Sequence, residues 1–405
     1  MAPSLESAVR KRMTICYFGA DLFWSELQEY GFRRRNTCLL QSFAESDEVE
    51  RIYVVRKVAK ETLLRIWKHG RRRRVGHSGK VVDVPLAPLL PERRWLPGTA
   101  LMNRWLLPLQ FWLQAGRQAP GHTVVWSYWP HGYSLARELR LPGLWVFDAD
   151  HNIVDDVNET AGKREEVKAL LADISKDAEL AVAGSRAMLE YFSRNEIAHC
   201  AHLRNGVDMS RFTDIQACEK RKSAARRPRI GYLGSISKWM EGGLLMKLIG
   251  QHPEWQFILG GPRYGADPFP GIEKHANVEC LGEIASKDVP RLLATFDIGL
   301  ALYRCEPWLD GDSMKVFEYL AAGVPVVSTP FHPYLQHDFA GLLQIASNAE
   351  QFAEAIRLVH HWDETIFHEW DLRRTAFLRD NSWSRRGQEA LALVRTAFAR
   401  RSLAK

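Results

Sequence analysis

The sequence has few cysteines and lacks long apolar runs. Six cysteines stand at scattered positions among 405 residues, and no two of them form a Cys-x-x-Cys pair. This spacing argues against a disulfide-rich scaffold or a zinc site, and predicts reduced thiols in a cytoplasmic protein. No apolar run reaches the ~18 residues that a membrane-spanning helix needs. The apolar segment 14–23 is short and interrupted by Asp21, so we expect no secretory signal.

Charge and length give the next constraints. The formal net charge is +7, which favours anionic partners such as nucleotide diphosphates, lipid head groups or nucleic acid. Hydrophobic residues make up 46% of the chain, enough for large cores, and 405 residues predict two or three domains. No zinc knuckle or RNA-binding aromatic motif is present, so we expect no nucleic-acid partner.

Strands and helices alternate in two separate parts of the chain, as in a parallel α/β fold. In the first half, segments 14–19 and 51–55 read as buried strands separated by a helix over 33–43. In the second half, a strand over 229–233 ends in Gly234 and is followed by a helix over 241–250. Each half therefore predicts a Rossmann-like domain. We expect domains at 1–205 and 206–380, followed by a helical segment 381–405.

Acidic residues and a histidine follow a predicted strand over 144–147. Asp148, Asp150 and His151 come directly after it. Catalytic groups in open α/β sheets collect beyond the carboxyl ends of strands, so Asp150 and His151 are candidates for acid–base chemistry. The alternative is that these aspartates only cap the following loop. Acidic residues 155, 156 and 159 are read as helix N-terminal acids, without the spacing of a metal site.

The most informative segment is 310–330, which reads DGDSMKVFEYLAAGVPVVSTP. Ser313 suits a helix N-cap, Gly323 suits the helix end, and 324–327 reads as a buried strand. Lys315 lies in the first helical turn, where a cation is unfavourable by roughly 0.3–1 kcal/mol unless an anion binds the exposed N–H groups. Lys315 therefore predicts a phosphate site, and Glu318, one turn later, could accept hydrogen bonds from a sugar hydroxyl. The alternative is a surface ion pair between Lys315 and Glu318.

This segment resembles the signature of GT-B glycosyltransferases of the family-4-like (group 1) kind. The shared pattern is K-x-x-E-Y-L-A-A-G-x-P-V-V-x-T, and "NGVD…F" at 205–212 also matches. The "DSMK" opening is similar to the xanthan-type glucuronosyltransferase, whose aspartate base aligns with Asp150. The resemblance implies two Rossmann-like domains facing a cleft, with a C-terminal helix returning to the first domain. It places Lys315 on the donor diphosphate and Glu318 on the ribose.

The same resemblance extends the expected donor site to further turns. Gly234, Ser235 and Ile236 match a glycine-containing donor loop, and Lys238 is the one match to the basic pair of retaining members. Asp310 replaces the first of two glutamates that the family often carries, which leaves the stereochemistry open. The expected donor-binding residues are Gly234, Ser235, Ile236, Lys238, Glu283, Ile284, Tyr303, Ser313, Met314, Lys315 and Glu318. The expected catalytic residues are Asp150, His151 and Lys315.

Arginine and tryptophan cluster in the first half. Arg33, Arg34 and Arg35 open a predicted helix and are read either as an acceptor-binding group or as a solvated basic face. The run 71–74 is four arginines and is read as a solvated loop. Segment 93–113 combines arginine with tryptophan and leucine, and predicts either a buried helix pair or a segment lying on an anionic membrane surface.

Together these features predict a metal-independent glycosyltransferase without a cofactor, acting in polysaccharide or glycoconjugate synthesis. Its partners would be a nucleotide-sugar donor and a glycan or lipid-linked acceptor. We expect it in the cytoplasm, with peripheral membrane attachment through 93–113 left open. Two alternatives remain: a GT-B sugar-nucleotide epimerase or hydrolase, and a non-catalytic protein that binds an anionic polymer.

Overall fold

In this computed structural model, the chain divides into two compact units. The first comprises Met1–Arg204 with Arg386–Lys405, and the second comprises Asn205–Arg385. The structure describes residues 12–59, 62–64, 75–76, 79–90, 97–116, 122–154, 161–197, 199–213, 227–306, 310–332 and 335–403. The arginine run 71–74, the start of segment 93–113, and the acids at 155, 156 and 159 lie outside these ranges.

The first unit is built on a sheet in which eight strands are described. Their order is β3-β4-β2-β1-β5-β6-β7-β8, and every pair is parallel except β3 with β4. The strands are β1 (Met13–Phe18), β2 (Val49–Lys57), β3 (Val75–Gly76), β4 (Val81–Leu86), β5 (Thr123–Tyr128), β6 (Leu144–Ala149), β7 (Leu180–Ala183) and β8 (Cys200–His202). Central strands are buried on both faces, which explains their continuous apolar runs.

Helices cover this sheet and complete the core of the first unit. The helices are α1 (Trp24–Tyr30), α2 (Arg35–Glu45), α3 (Pro97–Ala115), α4 (Trp129–Leu139), α5 (Ala161–Asp177) and α6 (Arg186–Arg194). Segment 101–113 was expected to be either a helix pair or an interfacial segment. The structure shows one helix that continues through Pro108, so the helix pair is wrong.

The second unit has a parallel sheet with the order β11-β10-β9-β12-β13-β14. Its strands are β9 (Arg229–Leu233), β10 (Gln256–Gly260), β11 (Val278–Gly282), β12 (Ile298–Ala301), β13 (Val326–Ser328) and β14 (Leu343–Ile345). Its helices are α7 (Gly242–Gln251), α8 (Val289–Leu293), α9 (Met314–Ala321), α10 (Leu335–Asp338), α11 (Ala349–His360) and α12 (Glu364–Asp380). The helix-to-strand reading of 310–330 therefore corresponds to α9 and β13.

The last helix, α13 (Trp383–Leu403), returns to the first unit as expected. At Gly387 an added Cβ would lie 2.6 Å from Cβ of Ser42 on α2, so the two helices approach very closely there. Further along, Arg395 pairs with Glu48, and Arg401 donates a hydrogen bond of 2.7 Å to the carbonyl of Gly143. This packing attaches the end of the chain to the unit that contains its beginning.

Both sheets reverse their strand order at a central position. In the first unit the chain runs outward from β1 to β2 and β4, and then continues at β5 on the other side of β1. In the second unit the reversal lies between β9 and β12. Ligands of open α/β sheets bind beyond the carboxyl ends of the strands at such reversals. Ligand binding is therefore expected at the loops that follow β9 and β12, and at those that follow β1 and β5.

Candidate active site

Glycines end three adjacent strands at the carboxyl edge of the second sheet. These glycines are Gly234, Gly261 and Gly282, at the ends of β9, β10 and β11. Their φ values are 146°, 137° and 68°, a backbone conformation that is strained for any residue with a Cβ. A Cβ on Gly261 would meet the carbonyl oxygen of Gly234 at 2.0 Å. The backbone turns are therefore stacked closely and leave no room for side chains between them.

The ammonium group of Lys315 lies beside the first of these turns. Its Nζ is 2.7 Å from the hydroxyl of Tyr232, and it sits 4.3 Å and 4.6 Å from the ring centroids of Tyr232 and Tyr303. A Cβ on Gly234 would lie only 2.8 Å from Cε of this lysine. Lys315 therefore lies where the strand order of the sheet reverses, because Tyr232 belongs to β9 and Tyr303 follows β12.

Lys315 has no carboxylate partner in the part of the chain that the structure describes. Desolvation lowers the pKa of Lys315 to about 7, and the negative charge of Glu318 offsets only part of that shift. The expected alternative, a surface pair of Lys315 with Glu318, is wrong, because Glu318 is paired with another residue. A desolvated cation in the first turn of a helix is unfavourable by itself, so this position suits an anion.

Glu318 is held by Arg211, a residue that the sequence analysis did not identify. Arg211 Nη1 lies 2.9 Å from Oε1 of Glu318, and Nη2 also donates to the carbonyl and the hydroxyl of Ser286. Arg211 lies on the short helix Met209–Phe212, which follows the "NGVD" turn. The sequence did not indicate this pair, because the arginine is separated from Glu318 by more than 100 residues.

Ser313 begins α9 but does not cap it with its side chain as expected. Its hydroxyl instead lies 2.8 Å from the hydroxyl of Tyr303. Tyr303 is therefore fixed under the helix start, and burial raises its pKa to about 12 although Ser313 opposes the shift. The backbone N–H groups of Ser313 and Met314 lie at the helix N-terminus, where amides have no intrahelical acceptor.

The loop after β9 is fixed mainly by its backbone. Ser235 accepts a hydrogen bond of 2.7 Å from the hydroxyl of Tyr232, which thereby connects this loop to Lys315. Ile236 donates to Pro262, accepts from Tyr264, and buries its side chain in the core. Ile236 therefore fixes the position of the loop. Lys238 is exposed on the same loop.

The turn after β11 lies at the edge of the same group of loops. Glu283 is exposed, and Ile284 is half-buried against Gly260, with Cγ1 3.2 Å from the position of an added Cβ. The amide of Gly261 donates to the carbonyl of Gly282, so this turn is connected by hydrogen bonding to the glycine turns beside it.

Asn205, in the "NGVD" turn, is tied to the segment that precedes α9. Its N–H donates to Oδ2 of Asp312 at 3.0 Å, and its side-chain amide donates to the carbonyl of Asp312 at 2.8 Å. Both residues are buried. The two strings that carried the resemblance are thus joined in space within the second unit.

In the first unit, Asp148 is a structural group. Its Oδ1 accepts a hydrogen bond of 2.9 Å from Nε of Arg35, and both side chains are fully buried. Burial raises the pKa of Asp148, although Arg35 opposes the shift. Arg35 also donates to the carbonyl of Leu203. Neither expected role of Arg35, acceptor binding or a solvated basic face, fits this position.

Asp150 and His151 form a half-exposed dyad beyond β6. His151 Nδ1 lies 2.6 Å from Oδ1 of Asp150, and the hydroxyl of Tyr128 also bonds to Asp150. Burial raises the pKa of Asp150, but His151 and Tyr128 outweigh it and hold the pKa below its usual range.

Trp129 stands beside this dyad in a strained conformation. Its φ is 67°, a value that bulky residues rarely adopt, at a cost on the order of 1–3 kcal/mol. Its ring centroid is 5.1 Å from that of His151 in an edge arrangement. Strain of this kind collects at functional sites, so Trp129 joins the dyad as a candidate residue that the sequence analysis did not name.

The described residues contain no cluster of three or more histidine, cysteine, aspartate or glutamate side chains suited to a metal ion. The same part of the chain contains no helix long and apolar enough to cross a membrane.

The second unit matches a known family. Residues 227–361 match the model of the family described as glycosyl transferases group 1. A putative teichuronic acid biosynthesis glycosyltransferase, TuaH of Bacillus subtilis (strain 168), is 31% identical over 130 residues. That match covers 31% of this chain and 33% of the relative, so it spans about a third of the relative's length.

Solved structures share the fold over almost the whole chain. Sucrose-phosphate synthase from Thermosynechococcus elongatus has a TM-score of 0.68 at 16% identity, covering 96% of this chain and 100% of that one. Anabaena HepE, solved in complex with UDP-glucose, has a TM-score of 0.60 at 14% identity, covering 95% and 100%. The N-terminal domain of a Candida albicans trehalose-6-phosphate phosphatase has a TM-score of 0.64 at 13% identity, with 95% and 97% covered. Likeness at this level of identity establishes the fold alone.

These comparisons confirm the resemblance and the fold class. The protein has the GT-B fold, with two Rossmann-like units and a C-terminal helix on the first unit, and its second unit matches the group 1 glycosyltransferases. The individual site residues are not tested by the comparisons and remain predictions.

Proposed function

We propose that this protein is a glycosyltransferase that transfers a sugar from a nucleotide diphosphate donor held by its second unit. The observation that supports this most strongly is Lys315. Its ammonium group is desolvated between two tyrosine rings, without a carboxylate partner among the described residues, at a helix start beside the Gly234 turn. A diphosphate would supply the missing negative charge, and the amides of Ser313 and Met314 would donate to its oxygens.

The remaining parts of the second unit suit the rest of a nucleotide. Glu318 is oriented by Arg211 and lies one helical turn after Lys315, where its carboxylate could accept hydrogen bonds from ribose hydroxyls. The Gly282–Ile284 turn offers backbone groups for a base. We assign UDP as the first nucleotide to test, because HepE was solved with UDP-glucose.

We assign acid–base chemistry on the acceptor to the Asp150–His151 dyad. Asp150 would orient His151 and stabilise its protonated form, while the imidazole takes the proton of the acceptor hydroxyl. The sequence analysis favoured Asp150 itself as the base. The depressed pKa makes Asp150 a weak base, so the geometry favours His151 in that role.

The biological setting is inferred from the relative. TuaH is described as a teichuronic acid biosynthesis glycosyltransferase, which supports a hexose or uronic acid as the sugar and a glycan or lipid-linked acceptor in polysaccharide synthesis. We also propose a metal-independent reaction, because Lys315 and the helix N-terminus can neutralise the leaving diphosphate. Loss of activity in EDTA, restored by Mg²⁺, would contradict this part.

Calorimetric titration with UDP, GDP and ADP tests the donor site. We expect UDP to bind, and Lys315→Met to weaken binding by about 10- to 150-fold, because a charge-assisted hydrogen bond to phosphate contributes ~1.5–3 kcal/mol. Lys274→Met is the matched control, since Lys274 is an exposed lysine of the same unit. Equal binding by both variants and the wild type would reject the assignment.

Product analysis separates transfer from the other reactions of this fold. A transferase releases little product from UDP-sugars until an acceptor is added, whereas an epimerase or hydrolase converts the donor alone. Efficient conversion of the donor without an acceptor would reject the transferase proposal while leaving the donor site intact.

A further inference from the structure

Helix α3 (Pro97–Ala115) exposes large apolar side chains although it is attached to the first unit. Its buried side carries amide as well as apolar side chains. The inward amides bind the backbone that follows β4: Asn103 makes two hydrogen bonds with Leu90, and Gln110 makes two with Ala87. Gln110 therefore anchors the helix to the first unit.

The outward face is a continuous apolar stripe. Trp105 and Leu113 are 67% and 74% exposed, and their neighbours on the stripe are nearly as accessible. The stripe consists of Leu101, Met102, Trp105, Leu109, Trp112 and Leu113. These positions recur every three or four residues, so they share one side of the helix. Single exposed apolar residues are ordinary, but a row of six that includes two tryptophans indicates a contact surface.

The helix is held rigidly, so the exposure is not the result of a poorly attached segment. Leu107 and Phe111 are buried in the core of the first unit. The hydroxyl of Tyr53 donates to the carbonyl of Ala115 at 2.9 Å, and Gln114 donates to the carbonyl of Pro85. The fold therefore fixes the stripe in an outward orientation.

Two arginines lie beside the stripe. Arg104 is exposed on the helix, and the guanidinium of Arg140 lies 5.5 Å from the ring centroid of Trp105. The sequence contains no aspartate or glutamate from Arg93 to Arg137. Apolar and tryptophan side chains flanked by arginine are the composition of segments that lie in the interface of an anionic bilayer.

The size of the stripe argues against a second protein as its occupant. The stripe runs from Leu101 to Leu113, about 20 Å of helix, and at ~10 Å wide it covers roughly 200 Å². A stable protein interface buries about 800 Å² on each partner. A bilayer has no such requirement, because an interfacial helix needs only its apolar face buried ~5–10 Å deep.

We propose that α3 docks the protein on the surface of an anionic membrane. The stripe inserts at the boundary between head groups and acyl chains, and Arg104 and Arg140 bind lipid phosphates. The helix lies on the membrane and does not cross it. Membrane docking through α3 involves the first unit alone and does not depend on the proposed enzymatic activity.

Vesicle flotation tests the proposal with the full chain. We expect the wild type to float with vesicles of phosphatidylcholine and phosphatidylglycerol, and more weakly with phosphatidylcholine alone. Replacing Trp105, Trp112 and Leu113 together by Gln should lower partitioning by about tenfold or more. Arg104→Gln with Arg140→Gln should remove the preference for anionic vesicles. Circular dichroism establishes that each variant is folded.

The matched control is Ile366→Gln with Leu372→Gln, which replaces two comparably exposed apolar side chains on α12. It should float like the wild type. The proposal is overturned if the wild type does not float, if the triple variant floats equally well, or if the lipids bind without preference for negative charge. It is also overturned if sedimentation shows a dimer that the triple variant abolishes, because the stripe would then be covered by a second copy.

Discussion

At the scale of single residues, Lys315 shows what a sequence can and cannot reveal. Its unfavourable place in a first helical turn is visible from the spacing of Ser313 to Gly323, so an anion site could be predicted. Its desolvation could not be predicted, because it depends on Tyr232 of β9 and Tyr303 after β12, which are far apart in the sequence. That desolvation lowers its pKa to about 7 and adds a pH dependence that the pattern did not contain.

The pKa of Lys315 predicts proton uptake on nucleotide binding. At pH 8 the free protein holds Lys315 largely neutral, and a bound diphosphate raises its pKa. Binding of UDP at pH 8 should therefore take up close to one proton, and affinity should fall as pH rises from 6 to 9. Calorimetry in buffers of different ionisation enthalpy measures this. The Lys315→Met variant should lose this uptake, and the same uptake in that variant would assign the proton to another group.

The Asp150–His151 dyad gives a prediction about the acceptor step. His151→Ala should lower kcat by about 100- to 10,000-fold, the usual contribution of a general base, while UDP affinity stays unchanged. Asp150→Asn should give a smaller loss and lower the pKa seen in the pH profile of kcat, because a neutral partner no longer stabilises protonated His151. The solvent-exposed His131→Ala is the control. An unchanged kcat in His151→Ala would reject the dyad as the base.

At the scale of elements, α9 and β13 were predictable because local signals agreed with the fold. The apolar face of α9, the glycine at its end and the buried strand after it all pointed to one helix-to-strand unit. Arg211 was not predictable, because nothing near it in sequence shows that Met209–Phe212 lies against α9. The attachment of α3 by its amides could not be predicted for a similar reason: the backbone groups that these amides bind lie in the segment after β4.

The Arg211–Glu318 pair predicts how the ribose is recognised. Glu318→Gln should weaken UDP binding by about tenfold or more, because a charged acceptor for the ribose hydroxyls is lost. An analogue of UDP without the two ribose hydroxyls should bind both proteins alike. Arg211→Met should reproduce part of the loss by freeing Glu318 to rotate, whereas Arg263→Met, at an exposed ion pair of the same unit, should not. A similar loss of the analogue's affinity in Glu318→Gln would contradict the assignment.

At the scale of the whole molecule, two Rossmann-like halves were readable from strands that end in glycine or acidic residues. The return of the C-terminal helix came from the resemblance alone, and the structure gives the physical reason. Gly387 permits α13 to approach α2 closely, and Arg395 and Arg401 bind groups of the first unit. Fold likeness alone did not identify a reaction, since the shared fold occurs in a phosphatase's N-terminal domain as well as in a synthase.

The contact at Gly387 predicts a specific loss of stability. Gly387→Val should lower the free energy of unfolding by about 1–3 kcal/mol, because its side chain would overlap Ser42. Gly162→Val is the matched control on α5, where an added Cβ meets nothing within 4 Å. Urea unfolding of both variants measures the difference. Equal stability of the two would show that α13 does not pack on α2 at this point.

The central claim is that Lys315 binds the diphosphate of the donor, and a crystal structure with bound UDP tests it most directly. We predict that a β-phosphate oxygen lies about 2.7–2.9 Å from Nζ of Lys315, with the amides of Ser313 and Met314 donating to the same group. A structure in which UDP binds elsewhere, with Lys315 still on the hydroxyl of Tyr232 alone, would contradict the account.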